Sequence, residues 1–147
     1  MAAHEVEDLV TKGMAAIEND HAHLALVCFE RAAEIEKSPT ICSGLGYCLA
    51  ATRGEVEKGL ALCREAIARE PDNVFHYRNL GSVLLLAGKA YEALEAFREG
   101  LQIRRDEGII RKLDALGTRK PPVFKFLSRK NFLNKSVGFI LNRLGFR

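Results

Sequence analysis

Three columns of residues recur along this chain at one interval. Ala25, Gly59 and Ala93 stand 34 residues apart, as do Phe29, Cys63 and Phe97, and again Ala32, Ala66 and Gly100. One interval kept in independent columns marks an array of similar units, each burying its apolar face against the next. A fourth column, Gly13, Gly46 and Gly81, is spaced 33 and 35. The second unit therefore holds one extra residue, which the sequence assigns to a turn near Gly54.

Residues 74–107 are the clearest unit. Phe75, Leu80, Leu84 and Leu86 form an apolar face at helical spacing, Gly88 interrupts it, and Tyr91, Leu94, Phe97 and Leu101 begin a second face. Two short helices joined at a glycine make an antiparallel hairpin. A small residue on each helix lets the partner approach closely and a bulky one fills the remaining space. Gly81 and Ala93 suit the crossing, while Tyr77 and Phe97 suit the fill.

Tyr77, Leu80, Gly81 and Leu84, followed by Ala93 and Phe97, resemble the tetratricopeptide-repeat signature of large apolar, Leu-Gly, large apolar, then Ala-x-x-x-Phe. The resemblance runs from residue 6 to residue 107. It departs at Lys12, Gly59, Cys63 and Arg105, where the family usually carries Leu, Ala, Phe and Pro. It implies an all-α, right-handed superhelical array of three helix-turn-helix repeats at 4–37, 38–73 and 74–107, a capping helix at 108–117, and short helices in an extension at 118–147.

Local signals place the boundaries. The first hairpin is expected at 5–18 and 21–36, with Asn19-Asp20 as its turn and Asp20 as N-cap of the second helix. His21 and His23, one residue apart at a helix start, point in different directions with no third ligand nearby, so they read as a solvated helix end rather than a metal site. Ser38-Pro39 opens the next helix in the favoured order of cap then proline. The second hairpin is expected at 39–52 and 56–69, and Pro71-Asp72-Asn73 closes it and caps the helix that follows. In 108–116, Ile109, Ile110, Leu113 and Leu116 share one face, and Gly117 is a helix stop. This resembles the extra helix that ends many such arrays, whose task is to cover the apolar side of the last hairpin.

A search for chemistry finds little. Gly44-Leu45-Gly46 lacks the third glycine and the preceding strand of a dinucleotide site, and there is no phosphate-binding loop, no HExxH and no Ser or Cys with an evident base. Cys28, Cys42, Cys48 and Cys63 form no CxxC and fall on predicted helices, so they read as buried small hydrophobes. The expectation is a non-enzyme without metal or cofactor. The acidic start lacks the basic and apolar regions of a signal peptide, and the longest strongly apolar run, 83–87, is far too short to span a bilayer. A cytoplasmic protein is expected, and one that would not use the sequon at Asn134.

The resemblance implies a concave wall built from the first helix of each repeat, where the family commonly holds a peptide or helix of a partner protein. By register that wall comprises Val10, Met14 and Ile17, then Ser43, Tyr47 and Ala50, then Phe75, Arg78, Ser82 and Leu85. Tyr47 and Arg78 are the preferred anchors, because a tyrosine or arginine anchors binding more often than an aliphatic residue does. The places where some members carry a Lys and Asn clamp for a C-terminal carboxylate hold Val10, Met14, Ser43 and Tyr47 here, which argues against that kind of receptor.

After Gly117 the composition changes. Residues 118–147 hold eight basic residues (Arg119, Lys120, Lys125, Arg129, Lys130, Lys135, Arg143 and Arg147), no acidic ones, and five of the eight phenylalanines. The extension is therefore +8 and the remainder −5. Three uses of it stay open. It folds back on the acidic solenoid as a lid, lies on an anionic membrane surface with Phe and Leu inserted, or holds a partner, with nucleic acid disfavoured for want of a recognised module. The run from Leu116 to Gly138 resembles the tail of some bacterial repeat proteins. The overall expectation is a bacterial adaptor that binds another protein through the concave wall; a peripheral membrane adaptor and a secretion-type chaperone holding an apolar client segment are the alternatives.

Overall fold

Glycines opposite bulky side chains should let helix pairs close, and they do. The computed structural model describes residues 1–119, which form seven helices: α1 (Ala2–Glu18), α2 (Ala22–Ile35), α3 (Pro39–Arg53), α4 (Val56–Arg69), α5 (Val74–Leu86), α6 (Ala90–Ile103) and α7 (Glu107–Arg119). Helices α1/α2, α3/α4 and α5/α6 pair as hairpins. Each hairpin packs on the next, α3 against α2 and α5 against both α3 and α4, and α7 follows against α6.

Gly13, Gly46 and Gly81 occupy equivalent places in the three hairpins. Each faces the residue of the partner helix in the Phe/Cys/Phe column. A Cβ on Gly13 would stand 2.8 Å from the Phe29 ring, and one on Gly81 would collide with the Phe97 ring. Phe29 is gripped from a second side, since a Cβ on Gly44 of the next hairpin would lie 2.5 Å from its Cζ. Both rings are fully buried, and the fit between flat ring and bare backbone is where these pairs gain their packing density.

The middle hairpin reaches the same end differently. Its filler is the smaller Cys63, and a Cβ on Gly46 would meet Cys63 Sγ at 3.3 Å and Gly59 O at 2.8 Å. A Cβ on Gly59 would in turn lie 2.5 Å from Gly46 O. Backbone thus touches backbone. The departures from the family pattern at Gly59 and Cys63 are a single adjustment: less filling between the helices, and no methyl group to hold them apart.

The extra residue of the second unit lies in a helix, not in the turn where the sequence placed it. Helix α3 ends at Arg53, seven residues beyond Gly46, whereas α1 and α5 end five beyond Gly13 and Gly81. In the first and third turns the chain reverses through a Schellman pair of bonds, Asp20 N–H to Ile17 O with His21 N–H to Ala16 O, and Gly88 N–H to Leu85 O with Lys89 N–H to Leu84 O. In the second, Gly54 N–H still bonds Ala50 O and Glu55 N–H reaches back to Leu49 O, so the helix is wound further before it turns. Gly54 and Gly88 take the left-handed backbone at φ 69° and 76°, which glycine adopts without a Cβ penalty.

Asp20 takes the same left-handed conformation, at φ 59°. It therefore ends α1 instead of capping α2, whose N-cap is His21 with no side-chain cap bond. The other caps agree with the sequence: Ser38 Oγ accepts from Ile41 N–H ahead of Pro39, and Asn73 Oδ1 accepts from Phe75 N–H at 3.1 Å. Asp106 caps α7, its Oδ1 accepting from Ile109 N–H at 2.8 Å. Gly117 does not stop α7, which runs on to Arg119; in a helix a glycine costs only about 1 kcal/mol relative to alanine. All four cysteines are free and buried, and burial pushes the thiols of Cys48 and Cys63 up to about 12, where they carry no thiolate at neutral pH.

Ile109 of α7 is fully buried in the core of the third hairpin, with Leu113 and Leu116 packed against it. The expectations for Lys120, Lys125, Arg129, Lys130, Lys135 and Arg143, and for short helices in the extension beyond residue 119, lie outside the described residues. Among the described residues no helix is long and apolar enough to cross a membrane.

Gly59→Ala, a change toward the family's usual residue, will lower stability by about 1–3 kcal/mol, the usual cost of overpacking a tight contact. The urea midpoint of unfolding checks this. A midpoint unchanged or raised would mean that α3 and α4 do not touch through their backbones.

Candidate functional site

The first helices of the three hairpins face a common cleft of about 220 Å³, and α7 forms its remaining side. Of the wall expected from sequence, Ile17, Tyr47, Arg78 and Ser82 line it. The others lie elsewhere. Ser43 and Phe75 are buried, Ala50 belongs to the core around α4 and α5, Leu85 packs against that core, and Val10 and Met14 pack against the cluster that holds the buried Phe29 and Phe75 rings. Each expected set shares one face of its helix, so the split runs along the helices and not around them: only the stretch beside α7 lines the cleft.

Helix α7 has two faces. Ile109, Leu113 and Leu116 turn to the core, while Gly108, Arg111, Lys112 and Ala115, at positions i, i+3, i+4 and i+7, turn to the cleft. Arg111 Nη2 reaches Glu18 at the far end of α1, 3.3 Å away. Burial holds the Lys112 ammonium below its ordinary pKa, with Arg78 and Arg111 adding to the effect against the opposing pull of Asp20 and Glu18. Burial also raises the Tyr47 phenol, keeping it a neutral donor.

Arg78, expected to reach a partner, is engaged within the chain. Its residue is 8% exposed. Nη1 pairs with Glu18 of α1 and lies 3.5 Å from Asp106 Oδ1 before α7, and the guanidinium carbon sits 5.3 Å from the Phe75 ring centroid. Room for it comes from Gly108, where a Cβ would stand 2.8 Å from Nη1. Nε is buried and has no hydrogen-bond partner among the described residues. One cation thus ties the first hairpin, the third hairpin and the start of α7 together. Sequence reasoning named Arg78 but missed Glu18, Asp106 and Gly108. An acidic residue three before the helical Ile109 is a legible cap signal, whereas nothing local marks Glu18, whose partners lie 60 and 93 residues away.

Ser43 has a base that the sequence did not reveal. Its Oγ is 2.7 Å from His76 Nδ1, and His76 Nε2 is 2.8 Å from Glu70 Oε1. Asn79 Nδ2 donates to the same Ser43 oxygen at 3.3 Å. The Glu70 carboxylate can only accept, so a neutral His76 donates Nε2–H to it and Nδ1 accepts from the Ser43 hydroxyl, whose oxygen also lies 3.4 Å from Thr40 O. The order is that of a Ser–His–acid triad, but Ser43 and His76 are both fully buried, so no substrate reaches the hydroxyl in this fold. The relay joins α3, the end of α4 and α5. Burial lowers the His76 pKa despite Glu70, and the bond from His76 lowers the Glu70 pKa.

Among solved structures, the chain is similar to the TPR domain of Sgt2 from Aspergillus fumigatus, with a TM-score of 0.54 and 19% identity over 89% of this chain and 93% of that one. No protein-family model matches the sequence, and no curated protein matches it either. The likeness establishes the fold: this chain is an all-helical array of the tetratricopeptide type.

Because His76 binds its proton less readily folded than unfolded, its stabilisation is complete above the ordinary value of 6.5 and declines as pH falls below it. The loss of the lowered Glu70 follows below 4.5. The urea midpoint should therefore drop between pH 7 and pH 5, and His76→Gln should flatten that drop. An equally steep drop in the variant would place the titrating group elsewhere.

Proposed function

We propose that this chain is a protein-interaction adaptor that holds an extended peptide or a helix of another protein against the wall formed by α1, α3 and α5. The observation that carries this reading is the cleft itself. It combines an apolar floor at Ile17 and the Tyr47 ring with fixed polar groups at Tyr47, Arg78 and Lys112, the mix that binds by apolar contact and orients by a few hydrogen bonds. The tetratricopeptide fold supports it, since arrays of this type present such a surface along their first helices. The described residues hold no group of three or more metal-ligating side chains.

Tyr47 is the anchor for a partner in this reading. It is half-buried and lines the cleft while its ring also packs against the cores on either side of it, so a partner meets a ring and a hydroxyl that are already held in place. Arg78 acts indirectly, holding Glu18 and the start of α7 where they set the width of the cleft. Helix α7 takes part of the space that a partner helix would use, and its link to α1 is the exposed Arg111–Glu18 pair, worth at most about 1 kcal/mol. A partner can displace that contact.

Peptides selected from a random library on the full chain provide the test. Tyr47→Ala should weaken the selected ligands at least tenfold in a variant whose far-ultraviolet circular dichroism shows it still folded, and Arg111→Glu, which sets like charges against each other at Glu18, should tighten them. Ligands indifferent to Tyr47 would remove the cleft from this role.

A further inference from the structure

A second concavity, of about 280 Å³, shares no residue with the cleft. It lies between α4, α5 and α6. Its floor is apolar, made by Ile67, Tyr77, Leu80, Leu84 and Ala96, with Ile67 and Leu80 half-buried. Glu92, Glu95 and Glu99 follow one another along its α6 side at i, i+3 and i+7, and Arg64 of α4 is the one cation among its lining residues. The Glu95–Arg98 contact at 3.0 Å joins two exposed side chains and is too weak to hold Glu95 from another partner.

A groove with an apolar floor and three carboxylates on one rim fits a segment in which phenylalanine or leucine stands beside lysine and arginine. The chain carries one. Residues 120–147 contain seven basic residues, no acidic residue and five phenylalanines, and between Phe124 and Phe132 aromatic and basic residues alternate closely. The rest of the chain is net acidic. Reach is no obstacle: 28 residues span about 40 Å as a helix and about 90 Å extended, against a radius of gyration of about 14 Å for a domain the size of residues 1–119. Tethering places the segment at an effective concentration on the order of millimolar, so even a weak site would be filled.

We propose that the groove between α4, α5 and α6 is the docking site of this chain's own residues 120–147, with phenylalanines on its floor and lysines and arginines against Glu92, Glu95 and Glu99. The groove shares no residue with the cleft, so a segment docked there would leave the α1, α3 and α5 wall open to a partner. Screening by salt weakens the charged rim but not the apolar floor.

Carbodiimide cross-linking of the full chain, mixed from unlabelled and nitrogen-15-labelled protein and read by mass spectrometry, tests this. Links from Lys120, Lys125, Lys130 or Lys135 to Glu95 or Glu99 within one chain are expected. Links between labelled and unlabelled chains would mean that a second copy fills the groove. Links to Glu18 or Asp20 would put the segment in the cleft, and absence of links from these lysines would mean that it docks nowhere on the array; each of the three overturns the proposal. In an independent arm, the Glu95→Lys/Glu99→Lys variant should release peptides cut by trypsin after Lys125 and Arg129 at least tenfold faster than the parent, at an unchanged melting temperature. Equal release rates from two folded proteins would also overturn it. A variant that failed to fold would leave the cross-links of the parent chain to decide.

Discussion

Two helix backbones come within touching distance only where one of them lacks a Cβ, and the array depends on that constraint. Gly13, Gly44 and Gly81 each receive the face of a phenyl ring, and Gly46 and Gly59 receive each other's backbone. From those contacts follow the closure of each hairpin and the alignment of α1, α3 and α5 along one side. The cleft is a consequence of where the glycines stand. A methyl group at any of these close approaches would push a pair of helices apart.

The seams between hairpins are not alike. Between the first and second, Phe29 lies with glycines on two sides, and the Glu30–Arg53 pair that crosses the seam is exposed to solvent. Between the second and third, Ser43, His76, Asn79 and Glu70 form a hydrogen-bonded chain, and Cys63 Sγ donates to Ser43 O at 3.7 Å. The small thiol that lets α3 and α4 close up also sits under this polar seam. A buried polar chain fixes orientation only while every member is satisfied, so the second seam is the more specific of the two and the more sensitive to protonation.

Much of this was legible in the sequence because it repeats. The columns at Ala25/Gly59/Ala93 and Phe29/Cys63/Phe97 report contacts made three times over, and the caps at Ser38 and Asn73 are local. What escaped was either non-repeating or a matter of degree. Asp20 carries a side chain suited to capping α2, yet the Schellman closure of α1 needs a left-handed residue at that place, and aspartate tolerates it. The extra residue before Gly54 was countable but could be absorbed by helix or turn, and only the hydrogen-bond pattern decides which. The Ser43–His76 contact joins different hairpins at residues 33 apart, and no periodicity pairs a serine in one unit with a histidine in the next.

Arg78 shows why a residue on the wall is not yet a residue for a ligand. A guanidinium this buried is tolerable only with anionic partners, because its desolvation is repaid by close charges or not at all. Here the partners come from the two ends of the array: Glu18 closes the first helix, and Asp106 caps the last. Removing either would leave charge stranded beside Phe75 and loosen the link between first and third hairpins. The same ion that a sequence reading offers to a partner is therefore spent on holding the cleft at its present width. In the proposed adaptor role, recognition would fall to the half-buried groups of that cleft, Tyr47 and Ile17 above all, and to whatever exchange a partner could make with α7 across the exposed Arg111–Glu18 contact.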